Sequence, residues 1–176
     1  MAVSAFAARG VPPYPKFIPY MRGVLILISI VILGLAAYAI SVNGEAPSGH
    51  SSGVPGYLLF LVVFTWVAHG IPIILEVIAP RFYHRLGVLV LYTLSVLFWL
   101  IGWAWSASWA SYALSLDNTD EKWANGGSWK TLGSALGASA GFGAVTWIVA
   151  IVELVFFCRG CLQDPDSSHV KHVELR

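Results

Sequence analysis

Residues 23–42 read GVLILISIVILGLAAYAISV and contain no charged side chain. The hydrocarbon core of a bilayer, about 30 Å thick, requires roughly 20 consecutive apolar residues in a helix. This stretch meets the requirement, and so do three later stretches: residues 56–79, 86–112 and 134–157. The sequence therefore predicts an all-α integral membrane protein, a bundle of four transmembrane helices.

The composition agrees with a membrane protein and excludes other classes. Of the 176 residues, 57% are hydrophobic and 11% are charged, and the mean hydropathy is +0.74. Soluble domains have about 25% charged residues, so this chain has too little charge to cover a surface in water. The net charge of +1 shows no basic excess that would indicate a nucleic-acid partner.

The distribution of lysine and arginine predicts that both termini face the cytoplasm, where positive residues next to spans tend to remain. Most of these residues lie before the first span, between the second and third spans, or in the tail: Arg9, Lys16, Arg22, Arg81, Arg85, Arg159, Lys171 and Arg176. The others, Lys122 and Lys130, lie in the third connection. We therefore expect a cytoplasmic segment at residues 1–22, a membrane domain at residues 23–157 and a cytoplasmic tail at residues 158–176.

Ionisable residues inside the predicted spans are candidate functional residues, because charge in a bilayer is costly. They are His69, Glu76 and Glu153. The predicted basic rim of the cytoplasmic boundary consists of Arg22, Arg81, Arg85 and Arg159. In one interpretation, inward-facing carboxylates pair with guanidinium groups and fix the helix register. In the alternative, the three ionisable residues form a proton or cation path.

Small residues in the fourth span predict close helix packing. Gly133, Gly137 and Gly141 recur every four residues, so a partner backbone could approach along that stripe. The partner is either another helix of the same chain or a second copy.

Tryptophans predict an aromatic belt near the outer interface, where indole rings are enriched. The belt residues are Trp99, Trp103, Trp105, Trp109, Trp123 and Trp129. A retinal or sterol pocket would use such rings too. Because no lysine lies inside a span, a retinal Schiff base has no attachment point.

The sequence Cys158-Arg159-Gly160-Cys161 follows the fourth span directly. Juxtamembrane cytoplasmic cysteines beside a basic residue predict S-palmitoylation, and unmodified thiols are the alternative. A zinc site would need two further ligands, so we predict no metal and no cofactor. The sequence has no phosphate-binding glycine loop, nucleophile elbow or HExxH motif, and we expect no enzymatic activity.

Three apolar stretches resemble the fungal MARVEL, or membrane-associating, domain family. They are GLAAY at 34–38, LFWLIG at 97–102 and GFGAVTW at 141–147. Four helices, cytoplasmic termini and an arginine at the start of the first helix add to the resemblance, which covers residues 17–157. Claudins and tetraspanins are less similar, because this sequence has no cysteine in either predicted outer loop.

The resemblance implies a non-enzymatic protein that associates laterally with membrane lipids, including sterols or sphingolipids, and with other membrane proteins or a second copy. Such a protein would organise plasma-membrane microdomains or accompany secretory vesicles. The alternatives are a small transporter or channel subunit that uses His69, Glu76 and Glu153, or an accessory subunit of a larger membrane complex.

Overall fold

The computed structural model describes residues 6, 10–13, 15, 17–43, 53–116 and 128–163. These residues form four long helices and a short 3₁₀ turn at Pro80–Phe82. The helices are α1 (Ile18–Asn43), α2 (Val54–Ile78), α3 (Arg85–Leu116) and α4 (Trp129–Gln163). Each is long and apolar enough to cross a membrane, so the predicted all-α class with four spans is confirmed.

The helices pack as a ring in which neighbours are antiparallel. α3 and α4 share the most extensive interface, α1 packs against α2 and α4, and α2 also packs against α3. One end of the bundle holds the start of α1, the turn between α2 and α3, and the end of α4; we call it the terminal face. The opposite end, where α1 and α3 end, is the loop face.

Buried positions in the helices repeat about every 3.5 residues, the spacing of left-handed coiled coils. In α1 they are Ile18, Arg22, Leu25, Ser29, Ile32, Ala36, Ala39 and Val42. In α3 they are Arg85, Val88, Tyr92, Ser95, Trp99, Gly102, Ser106, Ala110 and Ala113. The buried positions combine small residues with large ones such as Trp99 and Leu61, and large apolar side chains also face outward. Because lipid is as apolar as leucine, hydrophobicity alone does not separate inside from outside here.

The helix ends differ from the predicted spans. α4 begins at Trp129 instead of residue 134, because Ser128 caps it: the Thr131 amide donates to Ser128 Oγ at 3.2 Å, and the Ser128 amide donates to Thr131 Oγ1 at 2.9 Å. α4 then continues to Gln163. Residues 158–163, predicted to belong to the tail, are therefore the last turns of a helix.

The segment before α1 contacts the terminal face. The Gly10 amide donates to the Tyr83 carbonyl at 3.0 Å, and Arg85 Nε donates to the Gly10 carbonyl at 3.0 Å. Gly10 has a φ of 101°, a left-handed conformation that glycine adopts without steric cost. Phe6 and Val11 pack against the buried residues of the same end. The described residues of this segment thereby cover part of the terminal face.

Candidate functional site: a charged cluster inside the bundle

Arg22 of α1 binds two carboxylates inside the bundle, near the terminal face. Its Nη1 lies 2.6 Å from Oε1 of Glu76 on α2, and its Nε lies 2.7 Å from Oε1 of Glu153 on α4. The Arg22 side chain is 0% exposed, Glu153 is 1% exposed and Glu76 is 14% exposed. One guanidinium group therefore joins three helices.

His69 of α2 extends this arrangement toward the centre of the bundle. Its Nδ1 lies 2.9 Å from Glu153 Oε2, and its Nε2 lies 3.3 Å from Ser95 Oγ on α3. The imidazole stacks on the Tyr92 ring with centroids 5.3 Å apart, and Arg22 Cζ lies 5.7 Å from the same centroid. We call Arg22, His69, Glu76 and Glu153 the charged cluster; with Tyr92 and Ser95 it involves all four helices.

The helical repeat explains why these side chains meet. Arg22 occupies a buried position of α1 between Ile18 and Leu25, and His69 and Glu76 are seven residues apart, which places them on one face of α2. An unpaired charge buried in a bilayer is costly, and pairing with hydrogen bonds offsets that cost. The cluster therefore constrains how the four helices are aligned.

The predicted basic rim divides into two pairs. Arg81 and Arg159 are exposed at the terminal face. Arg22 and Arg85 lie at the same end of the bundle but are fully buried, and Arg22 pairs with the inward-facing carboxylates as the first interpretation expects. Arg22 lies within α1, which begins at Ile18, before the predicted span, and Arg85 Nε donates to the Gly10 carbonyl.

The predicted glycine stripe contacts α3 of the same chain, but one glycine does not take part. A Cβ at Gly133 would lie 2.8 Å from Leu114 Cγ, and one at Gly137 would lie 3.8 Å from Ala110 Cβ. At Gly141 nothing of the described chain lies within 4 Å, so it does not pack against another helix of the same chain, and its packing against a second copy stays a prediction. Each step of four residues turns about 40° around a helix, which rotates the third glycine out of the interface. Gly143 lies there instead, where a Cβ would be 3.0 Å from Trp103 Cβ.

The predicted aromatic belt is wrong for Trp99 and Trp129, which are 0% and 4% exposed. Trp99 occupies a buried position of α3, and its Nε1 donates to Thr65 Oγ1 on α2 at 3.0 Å. Trp105 is 39% exposed, Trp103 and Trp109 are half-buried, and Trp123 lies outside the described residues.

α2 and α3 form an aromatic surface that was not predicted from the sequence, where only its member Trp105 was singled out. Ring centroids 5.1 to 6.0 Å apart link its five members, Tyr57, Phe60, Phe64, Phe98 and Trp105. Phe60 is 47% exposed, so the surface faces the surroundings of the bundle. The spacing of four residues between Phe60 and Phe64 was the available signal.

The two cysteines differ in accessibility. Cys158 is half-buried, whereas Cys161 is 0% exposed and packs in the apolar core of the terminal face.

The chain was compared with known protein families. Residues 17–156 match the MARVEL family, whose description is membrane-associating domain. Comparison with curated proteins and with solved structures found no match.

Proposed function

The chain belongs to the MARVEL family of membrane-associating domains, and from this premise we propose that it is a non-enzymatic membrane-organising protein. It associates laterally with lipids and with other membrane proteins, in plasma-membrane microdomains or in secretory vesicles. The terminal face lies in the cytoplasm, as the positive-inside rule favours.

One observation carries this proposal: the interior of the bundle is tightly packed and ion-paired, whereas its outer surface is apolar. The packed core and the charged cluster hold the helices together, while large apolar side chains cover the outside of all four helices. The side chains free for contacts within the membrane are therefore the outward ones. The aromatic surface is the part of this exterior that we assign to lateral association, because rings offer large, rigid contact areas.

The transporter alternative receives no comparable support. Among the described residues, those buried between the charged cluster and the loop face are apolar or carry hydroxyl groups. We therefore propose the organising role alone.

Acylation belongs to the same proposal. We assign palmitate to Cys158, since Cys161 is fully buried and would have to leave its packed position to react. In an acyl-exchange assay, Cys158→Ser is expected to abolish the mass shift and Cys161→Ala to keep it. A shift that depends on Cys161 would contradict the assignment.

The organising role is tested by extracting the tagged chain from cells in polymer nanodiscs that retain surrounding lipid. Mass spectrometry of the discs is expected to find a lipid and protein composition distinct from that of the bulk membrane. The double variant Phe60→Leu/Phe98→Leu keeps the surface apolar but removes two rings, and it is expected to lose most of this enrichment.

A matched control is Val145→Leu/Ile148→Leu, which changes outward residues of α4 that are 48% and 55% exposed. This control is expected to keep the enrichment. Wild-type discs with the composition of the bulk membrane, together with free diffusion in photobleaching recovery, would contradict the proposal. A stoichiometric protein partner in every disc would instead identify an accessory subunit.

A further inference from the structure

The formal charges of the charged cluster do not balance when His69 is neutral. Arg22 contributes one positive charge, and Glu76 and Glu153 contribute two negative charges. The side chains of Arg22, His69 and Glu153 are at most 1% exposed, so solvent screens the excess charge poorly. A net charge in a medium of low dielectric constant is costly, and one bound proton would cancel the excess charge counted over these four described residues.

We propose that the charged cluster is a proton-binding site, in which one proton bound by His69 beside Glu153 completes the charge balance. The proton comes from the solvent and makes His69 an imidazolium ion. Both nitrogens of His69 lie close to an oxygen: Glu153 Oε2 is 2.9 Å from Nδ1, and Ser95 Oγ is 3.3 Å from Nε2. The cluster then carries two positive and two negative charges.

The groups around the imidazole come from every helix. α1 contributes Arg22, α2 contributes Glu76, and α4 contributes Glu153, which contacts the ring directly. α3 contributes Ser95 and the stacked phenol of Tyr92. Tyr92 is uncharged at neutral pH, so the carboxylates and the guanidinium group determine the charge count.

A bound proton links folding to pH. If the folded bundle binds this proton more tightly than the unfolded chain does, stability is present at low pH and is lost as the pH rises and the proton dissociates. The bundle would then carry a net negative charge at the point where its four helices meet. Proton loss is therefore expected to loosen the terminal face.

The protonation state is measured by ¹⁵N NMR of the full chain, labelled at histidine and reconstituted in lipid nanodiscs at neutral pH. The His69 signals are identified by their absence from His69→Gln or, where that variant does not fold, by eliminating the other four histidines through substitution. Both ring nitrogens of His69 are expected to be protonated. A neutral imidazole in the wild-type protein would overturn the proposal.

Glu76→Gln provides the decisive comparison, because it removes one negative charge without touching the imidazole. Arg22 and Glu153 then balance each other, so His69 is expected to be neutral at the same pH.

The melting temperature of the wild-type protein is expected to fall as the pH rises, and that of Glu76→Gln is expected not to change with pH. Equal protonation or equal pH dependence in the two proteins would overturn the proposal. His84→Gln, at an exposed position outside the cluster, is the matched control and is expected to behave like the wild type.

Discussion

Gly133 lets α4 approach α3 closely, and its replacement is predicted to destabilise the bundle. A Cβ there would lie 2.8 Å from Leu114 Cγ and 3.2 Å from the Ala110 carbonyl oxygen. Gly133→Leu is expected to cost about 1–3 kcal/mol or more, the range of overpacked cores. Thermal unfolding in micelles measures this loss. Gly141→Leu is the matched control on the same helix, where nothing lies within 4 Å of the added carbon. Equal melting temperatures for the two variants would contradict this account.

Individual positions were the hardest to predict from the sequence. Trp99 and Trp105 have the same residue type on the same helix, yet one is 0% and the other 39% exposed. In a soluble protein the polar neighbours on the exposed face of the helix would tell them apart, but in a bilayer both faces of a helix are apolar. The difference is the small neighbour on the facing helix. Trp99 packs beside Gly143 of α4, where a Cβ would lie 3.5 Å from Trp99 Cζ3.

The charged cluster connects the helices, and Arg22 is predicted to be its most sensitive residue. Arg22→Gln leaves Glu76 and Glu153 buried without their shared cation, so we expect a loss of about 3–5 kcal/mol in the free energy of unfolding. Arg22→Lys is expected to recover only part of it, since one ammonium group cannot reproduce the Nε and Nη1 contacts. Unfolding in micelles measures both variants.

Arg81→Gln supplies the comparison for these variants. Arg81 lies exposed at the same face, so its substitution is expected to change stability by less than about 0.5 kcal/mol. A loss as large as that of Arg22→Gln would show that removing any cation near the terminal face, rather than breaking the cluster, destabilises the bundle.

The number and type of helices could be predicted because long apolar runs have no stable alternative to helix in a bilayer. Helix ends could not be predicted from hydrophobicity, because they depend on local hydrogen bonds and on paired charges. Ser128 begins α4 through its contacts with Thr131, and pairing with Glu76 and Glu153 lets α1 include Arg22. The pairing of Arg22 with both carboxylates also could not be predicted, because it depends on which helices are neighbours in the ring, and the sequence does not specify that order.

For the whole molecule, the antiparallel ring places both ends of the described chain at one face, but the ring itself is compatible with either orientation in a membrane. Charge favours a cytoplasmic terminal face, and single cysteines test this in a chain whose native cysteines are replaced. Lys130 and Arg81 are exposed at opposite ends of the bundle. An impermeant thiol reagent is expected to label Lys130→Cys in intact cells and Arg81→Cys only after permeabilisation. The reverse pattern would place Cys158 outside the cell, and it would therefore contradict both the orientation and the proposed acylation.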